Sequence, residues 1–192
     1  PEVFDALRAA GVDGVSMANN HAVDFGVDGL AQSLDAIDAD GFPVVGIGRH
    51  EAAAYAPHVF EVNGQRIAVL GTTEVIDSQL VKTWTATDSQ PGLSSAKRVD
   101  RLVEAVRAAR TDADTVVVLI HWGTQYVPCP TDVQLALADA LTTQVARFEA
   151  AWVEAESEAD SGEEAEPSPM DEIVSVDLPA VVTVDLRLNE PR

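Results

Sequence analysis

The sequence is poor in basic residues. Of its 192 residues, 12 are Lys or Arg and 32 are Asp or Glu, which gives a formal net charge of −20 at pH 7. Proteins that bind nucleic acid need clustered Lys and Arg side chains to contact the phosphates. The few basic residues here are scattered along the chain, so we expect no nucleic-acid partner.

Cysteine and long hydrophobic runs are also scarce. Cys129 is the single cysteine, which excludes a disulfide within the chain. The longest strongly apolar run, Val116–Ile120, is far shorter than the ~20 residues that a membrane-spanning helix needs. The start of the chain also lacks the basic and apolar regions of a signal peptide. We therefore expect no transmembrane segment, targeting signal or anchor in this chain.

The segments that are present alternate between helical and extended patterns. Apolar spacing predicts helices over Glu2–Ala10, Val27–Asp40, Ala96–Arg110 and Val133–Ala151. Apolar runs predict buried strands over Gly14–Ala18, Phe42–Gly48 and Thr115–Ile120, the last covered on both faces. The Asn63-Gly64 pair between His58–Val62 and Arg66–Thr72 predicts a β-hairpin. This order indicates an α/β fold.

The composition divides the chain into three parts. Ten acidic residues and no basic residue lie between Glu149 and Glu172, with almost no large apolar side chain among them. Such a segment buries too little surface to offset the entropy of ordering the chain, so we expect a disordered linker. We therefore predict a folded domain over 1–148, an acidic linker over 149–172, and one or two strands over 173–192.

A polar loop follows the first predicted strand. It carries Asn19, Asn20, His21 and Asp24. Ligands of α/β sheets bind beyond the carboxyl ends of strands, where an Asn oxygen can ligate a divalent metal and a neighbouring His can donate a proton. Turn formation and capping of the next helix are the alternative roles of these residues.

His121 follows the most strongly β-branched run and is followed by Trp122. A neutral imidazole at a strand end is a common ligand of zinc, manganese or iron, and an indole ring could shield such a site from water. The alternative is a hydrogen-bonded structural histidine beside a core tryptophan. Weaker candidates are Ser16 as a nucleophile in an elbow-like Gly14–Ala18 segment, and Cys129, for which an incidental thiol is the stronger interpretation.

The two polar segments together resemble the CapA-type capsule-synthesis (poly-γ-glutamate) family, a branch of the calcineurin-like metallophosphoesterases. The similarity lies in MANNHAVDFGVDGL and, about a hundred residues later, VVVLIHWGTQYVPCPTDVQ. The intermediate stretches GFPVVGIG and NGQRIAVLGTTE agree with it. The resemblance covers Pro1 to about Leu141.

The resemblance implies a layered α/β sandwich, two-metal hydrolysis and a role in the cell envelope. Asn20 and His121 would be ligands of a divalent metal (Mn, Zn or Fe), and His21 would be the catalytic acid or phosphate contact. Asn19, Asp24 and Trp122 would support the loop and the wall of the site. The substrate would be an anionic polymer or a phosphoester, and the partners would be capsule-synthesis machinery.

Two motifs of such families are not found in this sequence. They are a Gly-Asp turn that ends an early strand and a later Gly-His-His-Pro-His-like segment. We therefore expect a sandwich that is incomplete at its N-terminus and lacks a late segment, with weak metal binding and little turnover. A non-catalytic envelope assembly or binding component that has lost the metal centre is the alternative function.

Overall fold

The computed structural model describes residues 2–124, 127, 129–146 and 184–185. The helices are α1 (Glu2–Ala9), α2 (Gly26–Asp40), α3 (Glu51–Ala54), α4 (Val81–Trp84), α5 (Val99–Arg110) and α6 (Asp132–Ala146). The strands are β1 (Val15–Ser16), β2 (Val44–Val45), β3 (Ile47–Gly48), β4 (His58–Val62), β5 (Gln65–Thr73), β6 (Gly92–Leu93), β7 (Thr115–Trp122) and β8 (Val184–Asp185). The predicted α/β fold is confirmed.

The main sheet has the strand order β4-β5-β7-β8. The pair β4–β5 is antiparallel and forms the predicted hairpin, in which Asn63 and Gly64 both have positive φ. The pair β5–β7 is parallel and is connected through α5, while β8 pairs in parallel with the end of β7. Both carboxyl ends of β5 and β7 therefore lie at one edge of this sheet.

Two smaller sheets accompany the main sheet. Strands β1 and β2 pair in parallel, and β3 and β6 pair antiparallel. The prediction of one strand over Phe42–Gly48 is wrong, because the chain changes partners at Gly46, whose φ is +87°. A left-handed backbone at this residue breaks the extended run.

The layers are packed in the order helix, sheet, sheet, helix. On one side, α5 and α6 cover β5 and β7 with a core that includes Leu70, Leu102, Val118 and Leu141. On the other side, α2 packs against β3 and β6 through a second cluster of Leu30, Leu34, Ile47 and Leu93. This arrangement is the layered sandwich expected from the sequence.

The prediction that the β7 strand is covered on both faces is wrong. Side chains alternate along β7 between buried and half-buried, so only the face toward α5 and α6 is closed. The other face borders a groove of about 440 Å³ between the main sheet and β1–β2. The groove is lined mostly by apolar side chains, among them Val15, Val45, Phe60 and Leu119. A β-branched run alone does not reveal whether a second layer fills the space above it.

Several predictions concern residues that the structure does not describe. The acidic linker over 149–172 and most of the strand segment 173–192 lie outside the described residues, as does the last part of the helix predicted to reach Ala151. Among the helices that the structure describes, none combines the length and apolar character needed to cross a membrane.

Candidate functional site

Three strand ends meet where the candidate site residues lie. Thr73 at the end of β5 is in register with His121 at the end of β7. Strand β1 crosses close to β5 at Gly71, where an added Cβ would lie 2.5 Å from the Ser16 Oγ. A glycine at this position thus permits the close approach of β1 to the main sheet. The loop that follows β1 therefore begins beside the carboxyl ends of β5 and β7.

The loop after β1 is held by its own polar side chains. The Asn19 side-chain oxygen accepts a hydrogen bond from the His21 backbone N–H at 2.8 Å, which forms an Asx turn. The Asp24 carboxylate lies 2.8 Å from the His21 Nδ1. Helix α2 begins at Gly26 with Phe25 as N-cap and has no side-chain cap hydrogen bond. The capping role that the sequence left open is therefore wrong, whereas the turn role holds for Asn19.

Asn20 and His21 present free polar atoms at this loop. Asn20 is half-buried, and within the described residues its side chain forms no hydrogen bond. The His21 side chain is 73% exposed. The Nδ1 atom of His21 is engaged by Asp24, which leaves Nε2 as the other polar atom of the ring. The loop therefore offers an amide oxygen and an oriented imidazole side by side.

His121 is held by the last residue of β5 and by the residue that follows it. Its Nδ1 atom lies 3.2 Å from the Thr73 Oγ1, and its carbonyl oxygen accepts the Glu74 N–H at 2.9 Å. Burial lowers the pKa of His121, and the charge of the nearby His21 lowers it further. His121 is thus held as a neutral imidazole at ordinary pH, the form that ligates metals.

The structure places His21 and His121 at the same edge of the sheet, because the loop after β1 begins beside the carboxyl ends of β5 and β7. These two residues are 100 positions apart in the sequence. Trp122 points the opposite way, since neighbouring side chains on a strand alternate. It is 5% exposed and packs in the core with Leu137 and Leu141. The structure therefore places Trp122 in the core rather than at the wall of the loop.

Thr73, Glu74 and Lys97 were missed from the sequence. Thr73 is fully buried against His121, and Glu74 forms an ion pair with the Lys97 Nζ at 2.7 Å. The signal for Thr73 and Glu74 was the polar sequence Thr72-Thr73-Glu74, which follows Gly71 and the apolar run that ends at Leu70. This is the same pattern that identified His121, and it marks another carboxyl end at the same edge of the sheet.

The two weaker candidates take no part in this arrangement. The Ser16 Oγ accepts a hydrogen bond from the Ala18 N–H at 3.3 Å, and the next helix starts only at Gly26. A nucleophile elbow requires a helix immediately after the serine, so the local structure does not match one. Cys129 is exposed.

The donor types suit a divalent metal, but the described residues supply only part of a coordination sphere. A neutral imidazole and an amide oxygen are ordinary ligands of Mn²⁺, Zn²⁺ and Fe²⁺. Across residues 2–124, 127, 129–146 and 184–185, no group of three or more His, Cys, Asp or Glu side chains is arranged around a possible metal position. A catalytic metal usually takes three or more protein ligands, so the described His, Cys, Asp and Glu side chains do not form a complete metal site by themselves.

Comparison with known proteins gives a consistent result. The family model described as "Bacterial capsule synthesis protein PGA_cap" matches residues 1–148. The "Capsule biosynthesis protein CapA" of Bacillus anthracis is 33% identical over 144 residues, which cover 73% of this chain and 34% of that protein. The "PGA biosynthesis protein CapA" of Bacillus subtilis (strain 168) is 34% identical over 129 residues, 67% of this chain and 33% of that protein.

The chain spans about a third of the length of these curated relatives. A "Probable polyglutamine synthesis accessory protein" of Mycobacterium tuberculosis is 30% identical over 71% of this chain and 38% of its own length. A crystal structure of a candidate 5′-nucleotidase from Staphylococcus aureus aligns with a TM-score of 0.47 at 18% identity, over 78% of this chain and 29% of that one. That structural similarity is weak, whereas the family match spans most of the chain. The chain belongs to the bacterial capsule synthesis protein PGA_cap family.

Proposed function

We propose that this chain acts in the synthesis of a poly-γ-glutamate capsule and contributes part of a divalent-metal site of phosphoesterase type. The observation that carries the proposal is the position of His121 and of the loop with His21 at one edge of the sheet, together with an Asn20 side chain that forms no hydrogen bond within the described residues. The names of the curated relatives support the process, because both Bacillus proteins are described as capsule or PGA biosynthesis proteins.

Each residue at this edge has a distinct role in the proposal. His121 and Asn20 are ligands, and His21 is the acid or the contact to an anionic group. The Asp24 carboxylate orients His21 through Nδ1, so that a proton held on Nε2 faces a bound ligand. The metal, when bound, supplies Lewis-acid stabilisation of negative charge. With two ligands from the described residues, we expect weak metal binding and slow turnover by the isolated chain.

The negative charge of this chain restricts the way in which it can bind an anionic substrate. A poly-γ-glutamate chain is a polyanion, and this chain carries a net charge of −20. Long-range attraction is therefore absent, and a bound cation or another subunit is needed to offset the repulsion. An anionic polymer or a phosphoester bound through a metal meets this requirement. Such a role would place the protein at the cell envelope, in contact with other capsule-synthesis components.

Metal titration with a matched histidine control tests the proposal. Mn²⁺ and Zn²⁺ binding to the full chain is measured by calorimetry, together with hydrolysis of a generic phosphodiester. We expect binding to weaken in His121→Ala and to be unchanged in His50→Ala, since His50 is exposed and its side chain caps α3 by accepting the Ala53 N–H.

Two outcomes contradict parts of this proposal. Equal metal uptake by the unaltered protein and His121→Ala removes His121 from the site. An unaltered protein that neither binds metal nor hydrolyses the diester refutes the metal centre and favours a non-catalytic assembly component that has kept the fold.

A further inference from the structure

The hydroxyl group of Thr73 lies at the centre of a small buried network around His121. It accepts a hydrogen bond from the Val75 N–H at 3.1 Å. It also lies 3.2 Å from the His121 Nδ1, 3.2 Å from the His121 carbonyl oxygen and 3.4 Å from the Val75 carbonyl oxygen. Thr73 is fully buried, so water does not compete for these contacts.

The two neutral tautomers of the His121 ring differ in the number of hydrogen bonds that the Thr73 hydroxyl can form. A hydroxyl group has one hydrogen to donate and two lone pairs to accept with. If the Nδ1 atom of His121 carries the proton, it donates to Oγ1, while the hydroxyl hydrogen goes to one of the two carbonyl oxygens. Together with the Val75 N–H this makes three hydrogen bonds. If Nδ1 is unprotonated, it takes the hydroxyl hydrogen itself, and only two hydrogen bonds remain.

We infer that Thr73 is a positioning residue, which holds His121 in the Nδ1–H tautomer and keeps the lone pair of its Nε2 atom free for a ligand. Within the described residues, Nε2 has no other hydrogen-bond partner. The role of that lone pair as a metal ligand rests on the proposed function above, whereas the tautomer itself does not. Partners of this kind orient ligating histidines in many metal sites.

The neighbouring Thr72 provides a matched control. It is also fully buried, and its hydroxyl donates to the Ser94 carbonyl oxygen at 3.0 Å. Adjacent residues on a strand face opposite sides, so Thr72 lies on the other face of β5 from His121. Thr72→Val therefore removes an equivalent buried hydroxyl group without touching the imidazole.

The experiment reads the tautomer of the metal-free full chain at mildly alkaline pH. Long-range ¹H–¹⁵N spectra report which ring nitrogen of each histidine is protonated, and His121→Gln assigns the His121 signals. We expect the Nδ1–H form in the unaltered protein, in Thr72→Val and in Thr73→Ser, and a shift towards Nε2–H in Thr73→Val. An Nε2–H form in the unaltered protein, or no change in a folded Thr73→Val, overturns the inference.

A second readout uses Zn²⁺ affinity. Loss of a partner that orients a ligating histidine typically weakens metal binding about 10–100-fold. We expect a loss of that size in Thr73→Val and retention of affinity in Thr73→Ser and Thr72→Val. Equal affinity of all four proteins contradicts the positioning role. If the unaltered protein binds no Zn²⁺ and still shows the Nδ1–H form, the proposed function fails and the assignment of Thr73 stands.

Discussion

Replacing Tyr55 with Phe tests how much the Tyr55 hydroxyl stabilises the segment at Ser95, which pairs with the end of β5. Tyr55 is 2% exposed, and its hydroxyl donates to the Ser95 carbonyl oxygen at 2.8 Å and accepts the Ser95 N–H at 3.0 Å. Ser95 forms a β-bridge with Thr73, the residue that contacts His121. The hydroxyl therefore links the helix side of the core to the strand end that carries the site.

The size of the effect follows from the groups that lose their partners. Tyr55→Phe keeps the ring and its packing but leaves the buried N–H of Ser95 unpaired, whereas the Ser95 carbonyl oxygen still accepts the Arg98 N–H at 3.1 Å. Each unsatisfied buried group costs about 1–3 kcal/mol. One group loses its partner, so we expect the free energy of unfolding to fall by about 1–3 kcal/mol. For a domain of this size the melting temperature then falls by about 2–12 °C.

Urea denaturation followed by far-ultraviolet circular dichroism measures this change. The control is Thr111→Val, which removes an exposed hydroxyl that donates to the Ala108 carbonyl oxygen at 2.8 Å. Water replaces that partner, so the control should change stability by less than about 0.5 kcal/mol. If Tyr55→Phe is no more destabilising than Thr111→Val, the Tyr55 hydroxyl does not stabilise the Ser95 backbone.

Three further predictions concern the site and the turns that position it. Burial and the charge of His21 lower the pKa of His121 below its ordinary value of 6.5. As the pH falls, His121 is therefore protonated in the unfolded chain before it is protonated in the folded protein. The stability advantage of the unaltered protein over His121→Gln, measured by urea denaturation, should therefore shrink between about pH 7.5 and pH 5; a constant or growing advantage contradicts the lowered pKa. Gly71→Ala should destabilise the fold by about 1–3 kcal/mol, because its Cβ would meet the Ser16 Oγ at 2.5 Å; an unchanged denaturation midpoint would show that β1 does not approach β5 closely. Gly64→Ala should cost about 1–2 kcal/mol through its φ of +82°, with nothing within 4 Å of the added methyl group; a neutral effect in the same assay argues against the left-handed turn.

The parts of the fold that depend on local chemistry were predictable from the sequence. The Asn63-Gly64 pair fixed the hairpin, because these two residue types adopt the positive φ values that a tight turn needs. The position of Asn20 beyond the end of β1 and that of His121 near the carboxyl end of the third predicted strand also followed from the sequence. His121 nevertheless forms part of β7, which extends to Trp122, so the strand end was placed two residues too early.

The parts that depend on distant residues were not predictable. Thr73 contacts a histidine 48 residues away, and a buried threonine at the end of a strand has no local signature of that contact. The groove beside Val117 and Leu119 was missed because a β-branched run looks the same whether or not a layer covers it. The side on which Trp122 lies follows from strand alternation once β7 is known to continue through it.

Mn²⁺ added to the ¹⁵N-labelled full chain tests most directly whether the two polar segments share one ion. A paramagnetic ion broadens the ring signals of the histidines nearest to it. We expect the signals of His21 and His121 to disappear together at the same Mn²⁺ concentration, while those of His50 and His58 persist. Broadening of only one of the first pair, or equal broadening of all four histidines, would contradict a shared site.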